Sequence, residues 1–188
     1  MKIAYVYLVM RRDDVRHKFV KNIISKNNKF EIFDAIDGHD IKAVDEVCRK
    51  FEHLNIPNVQ KFLLKGDIRN RKLAVYGSYI NLLEKYCDYD YVVVLQDDTF
   101  FEDNFYIEIE QLINSGYIDT IYSSRLGQFL SGAIFHKKFY RKFIESLQKH
   151  GLNRPLDHCL IGLSPHEQLM REYKKEIVFV KNYTSNIK

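Results

Sequence analysis

Residues 3–9 form an unbroken apolar run, Ile-Ala-Tyr-Val-Tyr-Leu-Val, closed by Met10-Arg11-Arg12-Asp13-Asp14. A run of strand formers without polar alternation predicts a strand covered on both faces. Val15, Phe19 and Ile23 then recur every fourth residue with Val20 and Ile24 beside them, which predicts an amphipathic helix starting at Asp13 or Asp14 and ending near Asn27-Asn28. A second strand is predicted over residues 30–36, stopped by Asp37-Gly38. Ile41, Val44, Cys48 and Phe51 mark the next helix, whereas residues 57–72 lack a period and read as a mobile or substrate-covering segment. Tyr79, Leu82, Leu83 and Tyr86 give another helical stripe, which feeds into Tyr91-Val92-Val93-Val94-Leu95, the most strand-like stretch of the chain. Further elements are a helix over 105–113, strands over 117–122, 132–136 and 177–180, and a helix face at Phe139, Phe143 and Leu147.

Strands alternating with helices predict an α/β chain, Rossmann-like, with a mostly parallel central sheet flanked by helices and ligands at the carboxyl ends of the strands. With no repeat and no linker, all 188 residues read as one domain. Composition adds little beyond this. Eight Gly and three Pro against thirteen Tyr and thirteen Phe argue for a packed core rather than disorder. The three cysteines are odd in number and lack CxxC spacing, which predicts neither a disulfide framework nor a thiolate zinc site and fits a reducing, cytoplasmic compartment. No apolar run approaches the roughly 18 to 20 residues of a bilayer span. The net charge of +4 permits anionic partners but is too mild to single out nucleic acid.

Charge becomes informative locally. Between residues 88 and 103 lie Asp88, Asp90, Asp97, Asp98, Glu102 and Asp103 and no Lys or Arg, in a chain that is basic as a whole. Asp97 and Asp98 follow the strand at 91–95, so they reach the sheet edge where α/β ligands bind. Paired carboxylates raise each other's pKa unless a cation offsets them. Hard oxygen ligands of this kind suit Mg²⁺ or Mn²⁺, which take one or two protein carboxylates and leave the remaining positions to water and phosphate. The competing reading makes Asp98 a cap of the next helix or turn and the other acids solvated charges. An Asp-x-Asp-x-Thr phosphatase pattern fails because its first acid would fall at Leu95, and no Gly-rich loop with a Lys is present to cradle phosphates.

Several segments, in order, resemble glycosyltransferase family 25. Arg12-Asp13-Asp14-Val15-Arg16 after the first strand is similar to the family's opening strand and arginine, and Phe33-Asp34-Ala35-Ile36-Asp37-Gly38 to its F-x-A-x-D-G segment. Residues 73–79 keep Ser78 of a G-C-x-x-S-H segment but carry Ala74, Val75 and Tyr79 in place of its Gly, Cys and His. Val94-Leu95-Gln96-Asp97-Asp98 resembles the I-L-E-D-D metal motif with Gln96 for Glu. Ser131-Gly132-Ala133-Ile134-Phe135, Arg154-Pro155-Leu156-Asp157 and Ser185-Asn186-Ile187 resemble G-x-x-A-Y, P-x-D and S-D-I. The resemblance implies a GT-A fold and metal-dependent, inverting transfer of a hexose from a UDP-sugar to a hydroxyl of a glycan or glycoprotein.

On that reading Asp98, supported by Asp97, holds Mn²⁺ or Mg²⁺, which stabilises charge on the departing diphosphate. His166 completes the metal shell, or is an ordinary surface residue beside Pro165. Gln96 offers a neutral oxygen to ribose or to a metal-bound water, and Ser78 lies in the donor-site segment. Arg16 and Lys72 pair with diphosphate oxygens, or are a solvated helix face and a loop charge. Asp37 accepts from uracil or ribose, or makes a simple Asp-Gly turn. Asp157 is the general base that takes the acceptor proton, or a helix N-cap. Gly132 admits sugar or acceptor close to the backbone, or marks a bulge.

Gln96 and Tyr79 also leave room for a different class, a non-catalytic nucleotide-sugar or cation-binding module. The basic stretch from His136 to Lys142 is interleaved with Phe139, Tyr140 and Phe143, but these make a core stripe with charges on the other face, so no nucleic-acid partner is expected. That charged face could still meet an anionic glycan or a membrane surface.

Overall fold

A computed structural model of the protein describes residues 1–10, 14–26, 29–57, 67–101, 103–116, 132–152, 155–163 and 178–180. In chain order its elements are β1 (Ile3–Met10), α1 (Asp14–Lys26), β2 (Phe30–Ala35), α2 (Ile41–His53), α3 (Asp67–Lys85), β3 (Tyr91–Gln96), β4 (Thr99–Phe101), α4 (Phe105–Asn114), β5 (Gly132–His136), α5 (Phe139–His150), α6 (Leu156–Leu163) and β6 (Val178–Val180). β1 lies inside a sheet of order β2-β1-β3-β5. It pairs in parallel with β2 and β3, and β5 adds antiparallel to β3. The chain is thus α/β with a mixed, mostly parallel open sheet.

Strand alternation divides the core into two layers. Ala4 and Val6 of β1, Val92 and Val94 of β3, and Ala133 and Phe135 of β5 point to one face, where α2, α3, α5 and α6 supply Phe51, Tyr76, Ile80, Phe143 and Leu160. Tyr5, Tyr7 and Val9, with Val93, Leu95 and Ile134, point to the other, where α1 and α4 supply Val20, Phe105, Ile109 and Leu112. Both faces being covered explains the unbroken apolar runs of β1 and β3. No helix among the described residues is long and apolar enough to cross a membrane.

Two departures from the sequence expectation bear on the site. Residues 67–72, expected to be a mobile or covering segment, form the first turns of α3; of the remainder, 58–66 lie outside the described residues. The helical signal was present, since Leu73, Tyr76, Ile80 and Leu83 are all buried at spacings of three and four, but Gly77 interrupts the eye. That glycine is steric: a Cβ there would stand 2.6 Å from Cγ2 of Val47, where α2 and α3 pack. The second departure is β4, which pairs antiparallel with β6 and has no sequence period because it is three residues long. The strand expected over 117–122 lies outside the described residues.

Candidate functional site

The connection from β1 to β2 runs through α1 on one face, and the connection from β2 to β3 through α2 and α3 on the other. The strand order therefore reverses between β1 and β3, and a crevice opens at their carboxyl ends, the general ligand position of such sheets. A cleft of about 250 Å³ lies there. Its wall takes Leu8 and Met10 from β1, Asp37 and Gly38 after β2, Gln96 and Asp97 from the end of β3, Arg16 from α1, and Arg71, Ser78 and Tyr79 from α3. Five residues singled out by sequence, Arg16, Asp37, Ser78, Gln96 and Asp97, thus converge from four parts of the chain.

Asp97 and Asp98 are the two residues of the turn between β3 and β4, and they have different surroundings. Asp97 is 6% exposed. Its Oδ2 accepts from the backbone N–H of Met10 at 2.9 Å and its Oδ1 from Nη1 of Arg16 at 2.8 Å. It ties the turn to β1 and α1, and Arg16, expected on a diphosphate, is directed at Asp97. Thr99 Oγ1 donates to the Gln96 carbonyl at 2.6 Å across the same turn, and the Tyr7 hydroxyl donates to the Thr99 carbonyl at 3.2 Å.

Asp98 has no such arrangement. Its Oδ1 is buried and accepts no hydrogen bond among the described residues. Burial, and then the charge of Asp97, raise its carboxyl pKa, with Arg16 offsetting part of the rise. A buried carboxylate oxygen without a partner is costly unless a cation or proton meets it. A divalent ion with water and phosphate oxygens in its remaining positions is one group that would satisfy such an oxygen, although Asp98 itself is not among the residues that line the cleft. Among the described residues no cluster of three or more His, Cys, Asp or Glu side chains could form an all-protein cage. His166 lies outside the described residues.

The other cleft residues are held by local bonds. Tyr79, 2% exposed, shares a hydrogen bond with the Gln96 side chain, and burial pushes its hydroxyl up to about 12. The two departures from the family motifs therefore touch each other and form a neutral pair on the cleft wall. The Ser78 hydroxyl accepts from the N–H of Ile36 at 2.9 Å and donates to the Ala74 carbonyl at 2.7 Å, clasping the end of β2 to α3. Asp37 Oδ1 accepts from the N–H of His39 at 2.9 Å, the Asx turn that an Asp-Gly pair favours.

Gly38 was read as a turn residue, but the structure gives it a packing role. A Cβ at Gly38 would stand 2.6 Å from Cα of Arg71, so the missing side chain lets α3 close the cleft. Gly38→Ala is expected to cost about 1–3 kcal/mol, the usual range for overpacking, and to weaken any cleft ligand; urea unfolding measures the first effect.

Three expected residues stand outside the cleft lining. Gly132 is paired with Leu95 in the sheet. Lys72 lines a second cavity, of about 460 Å³, together with Leu156. Asp157 lies inside the first turn of α6, so it is not the N-cap that the sequence also allowed. His166 has no described position. Sequence reasoning missed Arg71, which lines both cavities; tracing the stripe of α3 backwards from Tyr79 would have placed residues 69–72 against the end of β2.

A family model described as glycosyltransferase family 25 (LPS biosynthesis protein) matches residues 1–149. The match takes in the whole cleft and stops short of α6, so Asp157 and His166 stand outside it. No curated protein matches the chain.

Proposed function

The chain belongs to glycosyltransferase family 25, and from that premise we propose that it transfers a hexose from a UDP-sugar to a hydroxyl of a glycan or glycoprotein, with Mn²⁺ or Mg²⁺ at Asp98 and inversion at the anomeric carbon. The family implies glycosyl transfer; the donor, the metal and the stereochemistry are the proposal, as is the extent of the catalytic domain, residues 1–188, in a GT-A fold. The observation that carries it is Asp98, a buried carboxylate with an unpartnered oxygen in the turn that closes the ligand edge of the sheet.

When bound, the cation would neutralise negative charge developing on the diphosphate. Asp97, held by Met10 and Arg16, fixes the turn that presents Asp98. Gln96, held by Tyr79, offers its remaining amide valences to the ribose, and Asp37 accepts from the uracil or ribose. Asp157 takes the proton of the acceptor hydroxyl as its oxygen bonds to the anomeric carbon, and the bonding pair of the old glycosidic bond leaves with UDP.

A panel of UDP-sugars assayed for UDP release with and without Mn²⁺ tests this reading. One donor is expected to turn over with the ion, and chelation is expected to stop it. Tight UDP binding without turnover of any donor would favour the non-catalytic module, a reading that Asp97's two occupied oxygens also support. Turnover indifferent to chelation would remove the metal.

A further inference from the structure

Arg71 belongs to none of the segments that resemble the family motifs, which on α3 begin at residue 73, and no step of the proposed transfer uses it. Yet it lines the cleft. We infer that Arg71 is the residue by which the cleft selects a diphosphate ligand, its guanidinium meeting the phosphate oxygens in the role expected of Arg16 and Lys72. The inference rests on the nucleotide-sugar reading and adds to it the side chain that tells a nucleoside diphosphate from a nucleoside.

Three observations carry it. The first is the commitment of Arg16, whose Nη1 lies 2.8 Å from Oδ1 of the buried Asp97, so that this pair brings no net charge to the cleft wall. Lys72 lines the other cavity and not the cleft. Arg71 is the second guanidinium of the cleft lining and is exposed, so an entering anion reaches it without uncovering a buried group. The second observation is Gly38. A Cβ there would stand 2.6 Å from Cα, 2.8 Å from N and 3.0 Å from Cγ of Arg71. The absent side chain thus admits both the backbone of Arg71 and the start of its side chain against the turn that follows β2, at the ligand edge of the sheet. That contact fixes where the long side chain begins, which lowers the entropy lost when a ligand orders its end. The third is the helical stripe of Arg71, Ala74, Val75 and Ser78, every member of which lines the cleft. Ala74 and Ser78 are small and leave space beside Arg71 for phosphate groups. A planar guanidinium pairs its N–H donors with phosphate oxygens in a way that a point charge does not.

The test titrates UDP, uridine and inorganic pyrophosphate into the full chain by calorimetry, without metal ion, so that the protein's own cations decide the outcome. UDP is expected to bind the wild-type chain at least about tenfold more tightly than uridine, the effect of one charge-assisted hydrogen bond. Arg71→Ala is expected to bring UDP down to the affinity of uridine, with uridine affinity and the melting temperature unchanged, and Arg71→Lys is expected to fall between the two. Lys72→Ala, in the other cavity, is expected to bind UDP as the wild type does. An unaltered ratio of UDP to uridine affinity in Arg71→Ala, or an equal loss in Lys72→Ala, would overturn the proposal. So would a uridine affinity that falls in step with that of UDP, since such a residue shapes the cleft and does not read phosphate. If neither UDP nor uridine binds the wild-type chain, the UDP-donor reading fails and pyrophosphate decides the role of Arg71. Pyrophosphate binding that Arg71→Ala abolishes upholds the anion contact, and absent or undiminished binding overturns it.

Discussion

Asp98→Asn is expected to lower Mn²⁺-dependent transfer by at least about a hundredfold, the scale on which removing one preorganised charge-stabilising group acts, without weakening the cation-free fold. The two effects part because Asp98 is costly to the folded chain. Its folded pKa is raised by burial and by Asp97, so the folded state binds the proton more tightly than the unfolded state. Stability associated with that proton is complete below the unfolded carboxylate range and is lost as pH rises through the folded pKa. Above that folded pKa the wild-type chain carries the penalty of a charged carboxylate with an unpartnered oxygen. Asparagine carries none of the charge, so the cation-free variant should melt at the same temperature as wild type or higher, and the difference should shrink as pH falls. Mn²⁺ should raise the wild-type melting temperature, because a ligand of the native state stabilises it, and should leave the variant where it was. Thermal melts at several pH values with and without Mn²⁺, beside a UDP-release assay, measure all of these. A cation-free variant melting well below wild type would show that Asp98 holds the fold instead.

This asymmetry between neighbouring aspartates marks the limit of what was legible in the residue pattern. β1 and β3 were legible because strands buried on both faces leave unbroken apolar runs, and α2 and α5 because a helix with one wet face leaves a period of three and four. The place of the cleft was also legible, since Asp97 follows an apolar run and such sheets open their crevices at strand ends. The division of labour between Asp97 and Asp98 was not, because it depends on where β1 ends and where Arg16 stands on α1, contacts made across 81 and 87 residues of chain. Tyr79 and Gln96 looked like two separate departures from the family motifs until the fold brought α3 against the end of β3. β4 is legible only through its partner β6, far along the chain, and Ser78 marked a donor segment in the sequence whereas its hydroxyl clasps two elements in the fold.

Asp97→Ala should do the reverse of Asp98→Asn, lowering stability first and activity as a consequence. Alanine leaves the Met10 N–H and the Arg16 guanidinium without the carboxylate at once. Arg16 is 20% exposed and the Asp97 side chain 8%, so water recovers only part of the loss. Breaking a buried pair on one side costs about 3–5 kcal/mol; with Arg16 partly wet, about 2–3 kcal/mol is expected. Arg16→Ala should cost a similar amount, because it leaves the more buried Asp97 carboxylate beside Asp98 with the Met10 bond but without its cation. The double variant should then lie well short of the sum, a coupling of about 1–2 kcal/mol for groups in direct contact. The activity of Asp97→Ala should fall because the turn that carries Asp98 loses its tether to β1, and the fall should appear in the affinity for Mn²⁺, with saturating ion restoring part of the rate. Urea unfolding of the four proteins in the cycle, with Mn²⁺ titrations of their UDP release, separates an anchor from a ligand: an anchor loses stability and can be rescued by ion, whereas a direct ligand keeps its stability and cannot.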